Sequence, residues 1–241
     1  MKGQDEQPPQ GDVIEDIPSN DDERGDRRTR LYRQRAIVLR RWDLGETDRI
    51  LSIFTADHGK RRVVAKGTRR PGNRLAGHLE PFTATRLLLA RARNLDIVSQ
   101  AESIDGFARL RQSEASIATA AYLAELVDTL LPEEQGNEAV FELLFAAMRL
   151  LDEGRDARLV TLIFEMGVLR LTGYRPELRQ CIGCATEILP GENGFSSEGG
   201  VLCPDCLRLR PDAVAMSVGA LKLLRAIDRG DIERLVGLRI P

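Results

Sequence analysis

The chain reads as an α+β protein on three observations. Short segments rich in branched and aromatic residues crowd the first half, the hydrophobic period changes from two to about 3.6 after Phe107, and four cysteines stand in two Cys-x-x-Cys pairs. The 241 residues therefore divide into a leader at 1–29, a β module at 30–107 and an α-helical domain at 108–241, with a cysteine-bearing insert at 178–210.

The leader comes first. Residues 1–26 hold two basic and nine acidic residues, with Pro8, Pro9, Pro18 and almost no large apolar side chains. Such a stretch cannot bury enough surface to offset the entropy of ordering, so a disordered acidic leader is expected. It is either a solvating tail or a competitor that sits over the basic block next to it. The opening residues are charged and lack the apolar stretch of a secretory signal, which predicts a reducing, cytoplasmic location.

Residues 27–93 carry a net charge of +13, against −7 before them and −8 after them. Strands are expected at Ala36–Leu39, Ile50–Phe54, Arg61–Ala65, Thr83–Leu89 and Leu95–Gln100. Asp57-His58-Gly59 supplies a turn. The stretch from Lys66 to Arg74, broken by Gly67, Pro71 and Gly72, reads as an exposed basic loop. Five short strands with a long loop before the fourth suggest an OB-type β-barrel, a fold that binds nucleic acid through a cationic groove and stacking aromatics. Arg40, Arg41, Lys60, Arg61, Arg62, Lys66, Arg69, Arg70 and Arg74 are the expected DNA-binding cations, because so dense a charge repels itself unless a polyanion relieves it. Trp42 and Tyr32 are the candidates for base stacking, while Phe54 and Phe82 are expected in the core.

Three helices follow. Ile117, Ala120, Ala121, Ala124, Val127 and Leu131 form one apolar stripe, ended by Pro132. Val140, Leu143, Leu144, Ala147, Leu150 and Leu151 form a second, closed by Gly154. The third, Arg158–Thr172, is apolar on more than one side and should sit centrally, with Gly173 ending it. Ser217 caps a fourth helix that returns Ala220, Leu221, Leu224 and Ile227 to the bundle. The acidic balance of this half makes it the better candidate for protein partners, although apolar stripes of this kind are commonly plain core.

Between the third and fourth helices lie Cys181-Ile182-Gly183-Cys184 and Cys203-Pro204-Asp205-Cys206, with 18 residues between the pairs and no cysteine left over. Each pair grips a metal from a tight turn, and two such turns complete the tetrahedron of soft sulfur ligands that zinc prefers. Gly183 is expected to let the first turn bend. One structural zinc ion per chain is the reading, with two disulfides as the alternative that a reducing compartment disfavours. Arg179, Arg208 and Arg210 flank the cysteines and either offset the net negative charge of four thiolates and a divalent cation, the preferred reading, or reach nucleic acid.

The chemistry of an enzyme is hard to find. His58 and His78 are the two histidines, neither sits in a ligand pattern with a cysteine pair, and there is no phosphate-cradling Gly-Lys-Ser or Gly-Lys-Thr string. No apolar run approaches the length of a membrane span. A zinc-dependent nuclease or deaminase is thus disfavoured, whereas an RNA-binding or ribosome-associated module stays open on charge alone.

Four strings resemble the RecO recombination mediators of bacterial DNA repair. They are Phe54-Thr55-Ala56-Asp57-His58-Gly59, Ala65-Lys66-Gly67-Thr68-Arg69-Arg70-Pro71, Leu79-Glu80-Pro81-Phe82, and Gly173-Tyr174-Arg175-Pro176 leading into Cys181. The resemblance spans about Arg35 to Cys206. It implies an N-terminal OB barrel, a helical domain, and Cys181, Cys184, Cys203 and Cys206 as zinc ligands of the family's metal-containing branch. It further implies binding of single- and double-stranded DNA, strand annealing, and work alongside RecR, RecF and the single-strand-binding protein. The acidic leader has no counterpart in the resemblance, and the end at Pro241 comes earlier than it leads one to expect.

Overall fold

The computed structural model describes residues 31–230, so the expected acidic leader lies outside the described residues. Five strands close into a barrel in the order β1-β2-β3-β5-β4: β1 Leu31–Leu44, β2 Asp48–Thr55, β3 Gly59–Ala65, β4 Ala84–Ala90 and β5 Asp96–Asp105. Each overlaps an expected strand, with β4 and β5 starting one residue later than expected. β1 is much longer than the sequence suggests because one strand serves two neighbours. Its first half pairs antiparallel with β4, from Leu31 opposite Ala90 to Ile37 opposite Ala84, and its second half pairs with β2. A bulge at Leu39, between Val38 and Arg40, lets the strand bend across that handover. Closure comes from a short parallel pairing, Val63 with Asp96 and Val64 with Ile97.

The barrel has two apolar faces. Ala36, Val38, Leu51, Ile53, Val63, Leu87 and Leu89 fill its interior. Ile37, Leu39, Phe54, Ala56 and Ala84 point outward and share a second core with the helices. Consecutive residues Ala36 to Leu39 thus alternate between the two, as strand geometry requires.

The helices that cover this outer face are α1 Glu114–Leu130, α2 Glu138–Asp152 and α3 Ala157–Leu171, capped by Ser113, Asn137 and Asp156, each accepting a backbone N–H from the first turn. As its two-sided apolar character predicts, α3 joins two cores. Val160, Phe164 and Val168 face the barrel and α2, whereas Leu159, Ile163 and Met166 face the cysteine region. The latter holds a small sheet in the order β7-β6-β8, formed by β6 Asn193–Ser196, β7 Gly200–Leu202 and β8 Val214–Met216. A one-turn α4, Pro204–Arg208, carries the last cysteine, and α5, Val218–Asp228, packs Leu221 and Ile227 into the same core. The Ser217 hydroxyl caps α5 by accepting the Ala220 N–H at 3.1 Å. The sheet takes in β8, which lies beyond residue 210. No helix among the described residues is long and apolar enough to cross a membrane.

Candidate nucleic-acid interface and metal centre

The basic loop is an ordered object. Thr68 is buried and its hydroxyl donates to the Ala65 carbonyl at 3.0 Å, while the Asp48 carboxylate accepts the Gly67 N–H at 2.7 Å. Asn73 ties the loop across its base: its amide donates to the Gly67 carbonyl at 2.9 Å and its oxygen accepts the Leu75 N–H at 2.8 Å. Thr68 and Asn73 position the cations, a role that charge counting misses, though Asn beside Gly and Pro is a turn-forming signal. Lys66, Arg70 and Arg74 project from this frame, exposed, and enter no ion pair among the described residues. Arg69 differs. It is 3.4 Å from Asp43 and donates to the Gly45 carbonyl at 2.8 Å, so it braces the loop against the β1–β2 turn.

The other expected cations meet carboxylates. Arg40 reaches Glu125 at 3.4 Å and Asp128 at 3.7 Å, both on α1. Lys60 donates to the Asp128 backbone carbonyl, Arg62 lies 3.9 Å from Glu133, and Arg61 lies 3.6 Å from both Asp96 and Glu134. Arg41 pairs with Glu80, which also draws Arg49 to 3.6 Å. A seam of opposite charge therefore runs between β3 and the α1–α2 connection, with Trp42 half-buried in the cleft beside Arg40, Lys60 and Arg62.

Backbone contact locks that seam. Glu134 donates its N–H to the Lys60 carbonyl at 3.1 Å, and Lys60 and Glu133 form a parallel bridge. Gly59 has φ +68°, and a Cβ on it would land on the Gln135 carbonyl; a Cβ on Gly136 would land on that of Asp57. The Asp57-His58-Gly59 turn is thus shaped by a neighbour as much as by its own hairpin. Nothing local in the sequence announces that neighbour, although the run Pro132-Glu133-Glu134-Gln135-Gly136 offers its acidity.

Tyr32 sits at the mouth of the barrel. Its hydroxyl donates to Asp96 and accepts from Arg61 at 2.8 Å, and the Arg61 and Arg91 guanidinium carbons lie 6.0 and 5.5 Å from its ring centroid. Burial and the bond to Asp96 push its phenol up to about 12. Phe54 is fully buried, and Phe82 packs against the same core, as expected.

The four cysteine sulfurs all lie within 4.8 Å of one another. Cys184 and Cys203 approach to 3.7 Å, close to the separation of about 3.8 Å that bonds of about 2.3 Å in a tetrahedron produce. Backbone donors shape the pocket: the Cys203 N–H points at the Cys181 sulfur at 3.3 Å. Burial alone would raise the Cys181 thiol, but the N–H groups of Cys203, Cys184 and Gly183 outweigh it and hold that thiol at about 6. Hydrogen bonds that the Cys206 thiol donates to the other three sulfurs push it up to about 12. Four like charges cannot share one point without a cation. The set can hold a metal ion.

Gly183 matters for a reason other than the expected bend. A Cβ there would come within 2.9 Å of the Cys206 sulfur, so the constraint is room for a ligand atom. The left-handed residue of the first turn is instead Ala185, at φ 60°. The flanking arginines are partly committed: Arg208 pairs with Asp205 and Arg210 with Glu198 at 2.5 Å.

Two family models cover this architecture. Residues 29–107 match the N-terminal domain of recombination protein O, and residues 112–241 match its C-terminal domain. A DNA repair protein RecO from Roseiflexus sp. (strain RS-1) is 44% identical over 88% of this chain and 75% of its own length. One from Dehalococcoides mccartyi is 40% identical over 87% of this chain and 83% of its own, and one from Pelotomaculum thermopropionicum 41% identical over 88% and 82%. From the barrel through the cysteine module, the chain belongs to the RecO family.

Proposed function

We propose that this protein is a DNA-binding recombination mediator in DNA repair, whose OB-type barrel holds phosphates through the Lys66–Arg74 loop. The observation that carries the reading is the ordered loop with Lys66, Arg70 and Arg74 free of carboxylates among the described residues, in a barrel whose other cations are mostly paired. Neutralising phosphates lowers the repulsion between two strands, or between a strand and a partner, and no bond is made or broken. The protein thus acts without catalytic residues, in the cytoplasm, beside the nucleoid. RecR, RecF and the single-strand-binding protein are the partners that family membership suggests. They favour DNA over RNA as the ligand.

Cys181, Cys184, Cys203 and Cys206 fit zinc, an all-sulfur tetrahedral set with no open position for substrate. Zinc there supplies structure. Bound to Cys181, Cys184, Cys203 and Cys206, it would offset half of the four thiolate charges and tie the two cysteine turns together.

Binding to single-stranded DNA should weaken steeply with salt, by about 0.7 in log affinity per log salt for each phosphate contact. Removing Lys66, Arg70 and Arg74 together should flatten that slope by about 2. Adding Arg69→Ala should change it little further, because Arg69 is held by Asp43. Titrations across a salt series test this, and an unaltered slope would remove the loop from the interface.

A further inference from the structure

We propose that the opposite end of the barrel carries a second, independent contact for single-stranded DNA, made by Arg91 and Arg93 beside Tyr32. The inference rests on the barrel being a DNA-binding module.

Strand register separates the two places. Ala90, the last residue of β4, pairs with Leu31 at the start of β1 and with Ile97 near the start of β5. The turn that holds Arg91 and Arg93 therefore leaves the barrel where β1 enters it. The Lys66–Arg74 loop leaves from the far end of β3. Arg61, which donates to the Tyr32 hydroxyl, and Lys66 are five residues apart on one extended chain, about 17 Å. A strand of only about three nucleotides is too short to reach across that distance, whereas a longer one can pass from one to the other.

The turn is built rather than loose. The Asp96 carboxylate accepts the Ala92 N–H at 3.1 Å and the Tyr32 hydroxyl, and lies 3.6 Å from Arg61. Asp96 is thus fully engaged by groups other than the turn's own guanidinium groups. Arg91 and Arg93 are exposed and enter no ion pair among the described residues, the same condition that singles out Lys66, Arg70 and Arg74. The Arg91 guanidinium carbon lies 5.5 Å from the Tyr32 ring centroid, so the ring holds the guanidinium group at the mouth of the barrel. Behind the ring the mouth is polar: the Gln34 amide lies 3.1 Å from His58 Nδ1, and its buried oxygen has no hydrogen-bond partner. Two planar guanidinium groups on a braced turn suit two successive phosphates.

With a strand at each end, one chain holds two strands while its own charge offsets their repulsion. That arrangement supplies annealing without a second protomer.

Native mass spectrometry at low salt, with the full chain and oligonucleotides of about three nucleotides, too short to bridge the two places, counts the sites directly. Wild type should take two oligonucleotides, and both Arg91→Ala/Arg93→Ala and Lys66→Ala/Arg70→Ala/Arg74→Ala should take one. The turn variant should also flatten the salt slope by about 1.4 and slow annealing of longer complementary strands by about tenfold. Arg91→Lys/Arg93→Lys should restore most of both, since a charge remains. A single oligonucleotide on wild type, or unchanged stoichiometry and annealing in the turn variant, overturns the second contact. If the loop variant alone loses DNA, this inference falls and the barrel reading stands; if neither variant loses any, the barrel reading falls too.

Discussion

The barrel and the cysteine module both crowd like charges, and they resolve the crowding in opposite ways. In the barrel the charge is spread over strands, so carboxylates can reach much of it, from the helical half (Glu125 and Asp128 to Arg40, Glu133 to Arg62, Glu134 to Arg61) and from the barrel itself (Glu80 to Arg41, Asp43 to Arg69). What they leave is a remainder at the rims. In the cysteine module the four sulfurs meet within 4.8 Å, where no side chain can enter. Distributed charge leaves a surface that can exchange partners, whereas charge gathered at a point demands an ion and gives it no freedom. The first arrangement suits a ligand that comes and goes, the second a permanent part.

The largest expected effect lies on the permanent side. Structural zinc sites couple about 10 to 16 kcal/mol of binding to folding in small peptides, so Cys203→Ala should lose the metal and the order of the module together. Limited proteolysis should then cut between residues 178 and 216, while the barrel, whose interior core is separate, stays resistant. One zinc per chain and an unshifted melting curve in that variant would put the two regions on the same footing.

Next comes the seam. Gly59→Ala places a methyl group on the Gln135 carbonyl at a left-handed position, and strain plus overpacking should cost about 3 kcal/mol. A melting temperature within a degree or so of wild type would mean that the α1–α2 connection yields readily.

The carboxylates of that seam sharpen the contrast further. Glu133→Gln with Glu134→Gln removes partners of exposed pairs, so stability should move by no more than about 1 kcal/mol. Affinity for single-stranded DNA should rise instead, because Arg61 and Arg62 are released toward phosphate and two repelling charges are gone. Fluorescence anisotropy at low salt reads this, and weaker binding in the variant would make the seam purely structural.

How much of this the sequence discloses follows from the range of the forces involved. The strands, the four longer helices, where they end and the Ser217 cap are legible because hydrophobic period and helix-ending or capping residues are local. The cysteine cluster is legible because Cys-x-x-Cys spacing encodes a geometry. The fate of each cation is not, since Arg62 and Glu133 lie far apart in the chain and only the fold brings them to 3.9 Å. The turn cations Arg91 and Arg93 look like hairpin punctuation until the register of β1, β4 and β5 places them at the mouth with Tyr32. Gly183 illustrates the same limit. Its spacing says turn, yet what excludes a side chain is the sulfur of Cys206, from the other pair.

The smallest effect tests whether the module's geometry is set by the ion or by the chain. Ala185 holds φ 60° just after the second cysteine and donates its N–H to the Cys181 carbonyl at 2.8 Å, a position glycine fills without a Cβ clash. Relief of about 1 to 2 kcal/mol of left-handed strain is offset by up to about 1 kcal/mol of added freedom in the unfolded chain. Ala185→Gly should therefore stabilise by about 0.5 kcal/mol and tighten zinc modestly, measured by competition with a chromophoric chelator. If it weakens zinc instead, the strained turn is not what the chain yields to the metal, and the ion alone imposes the shape.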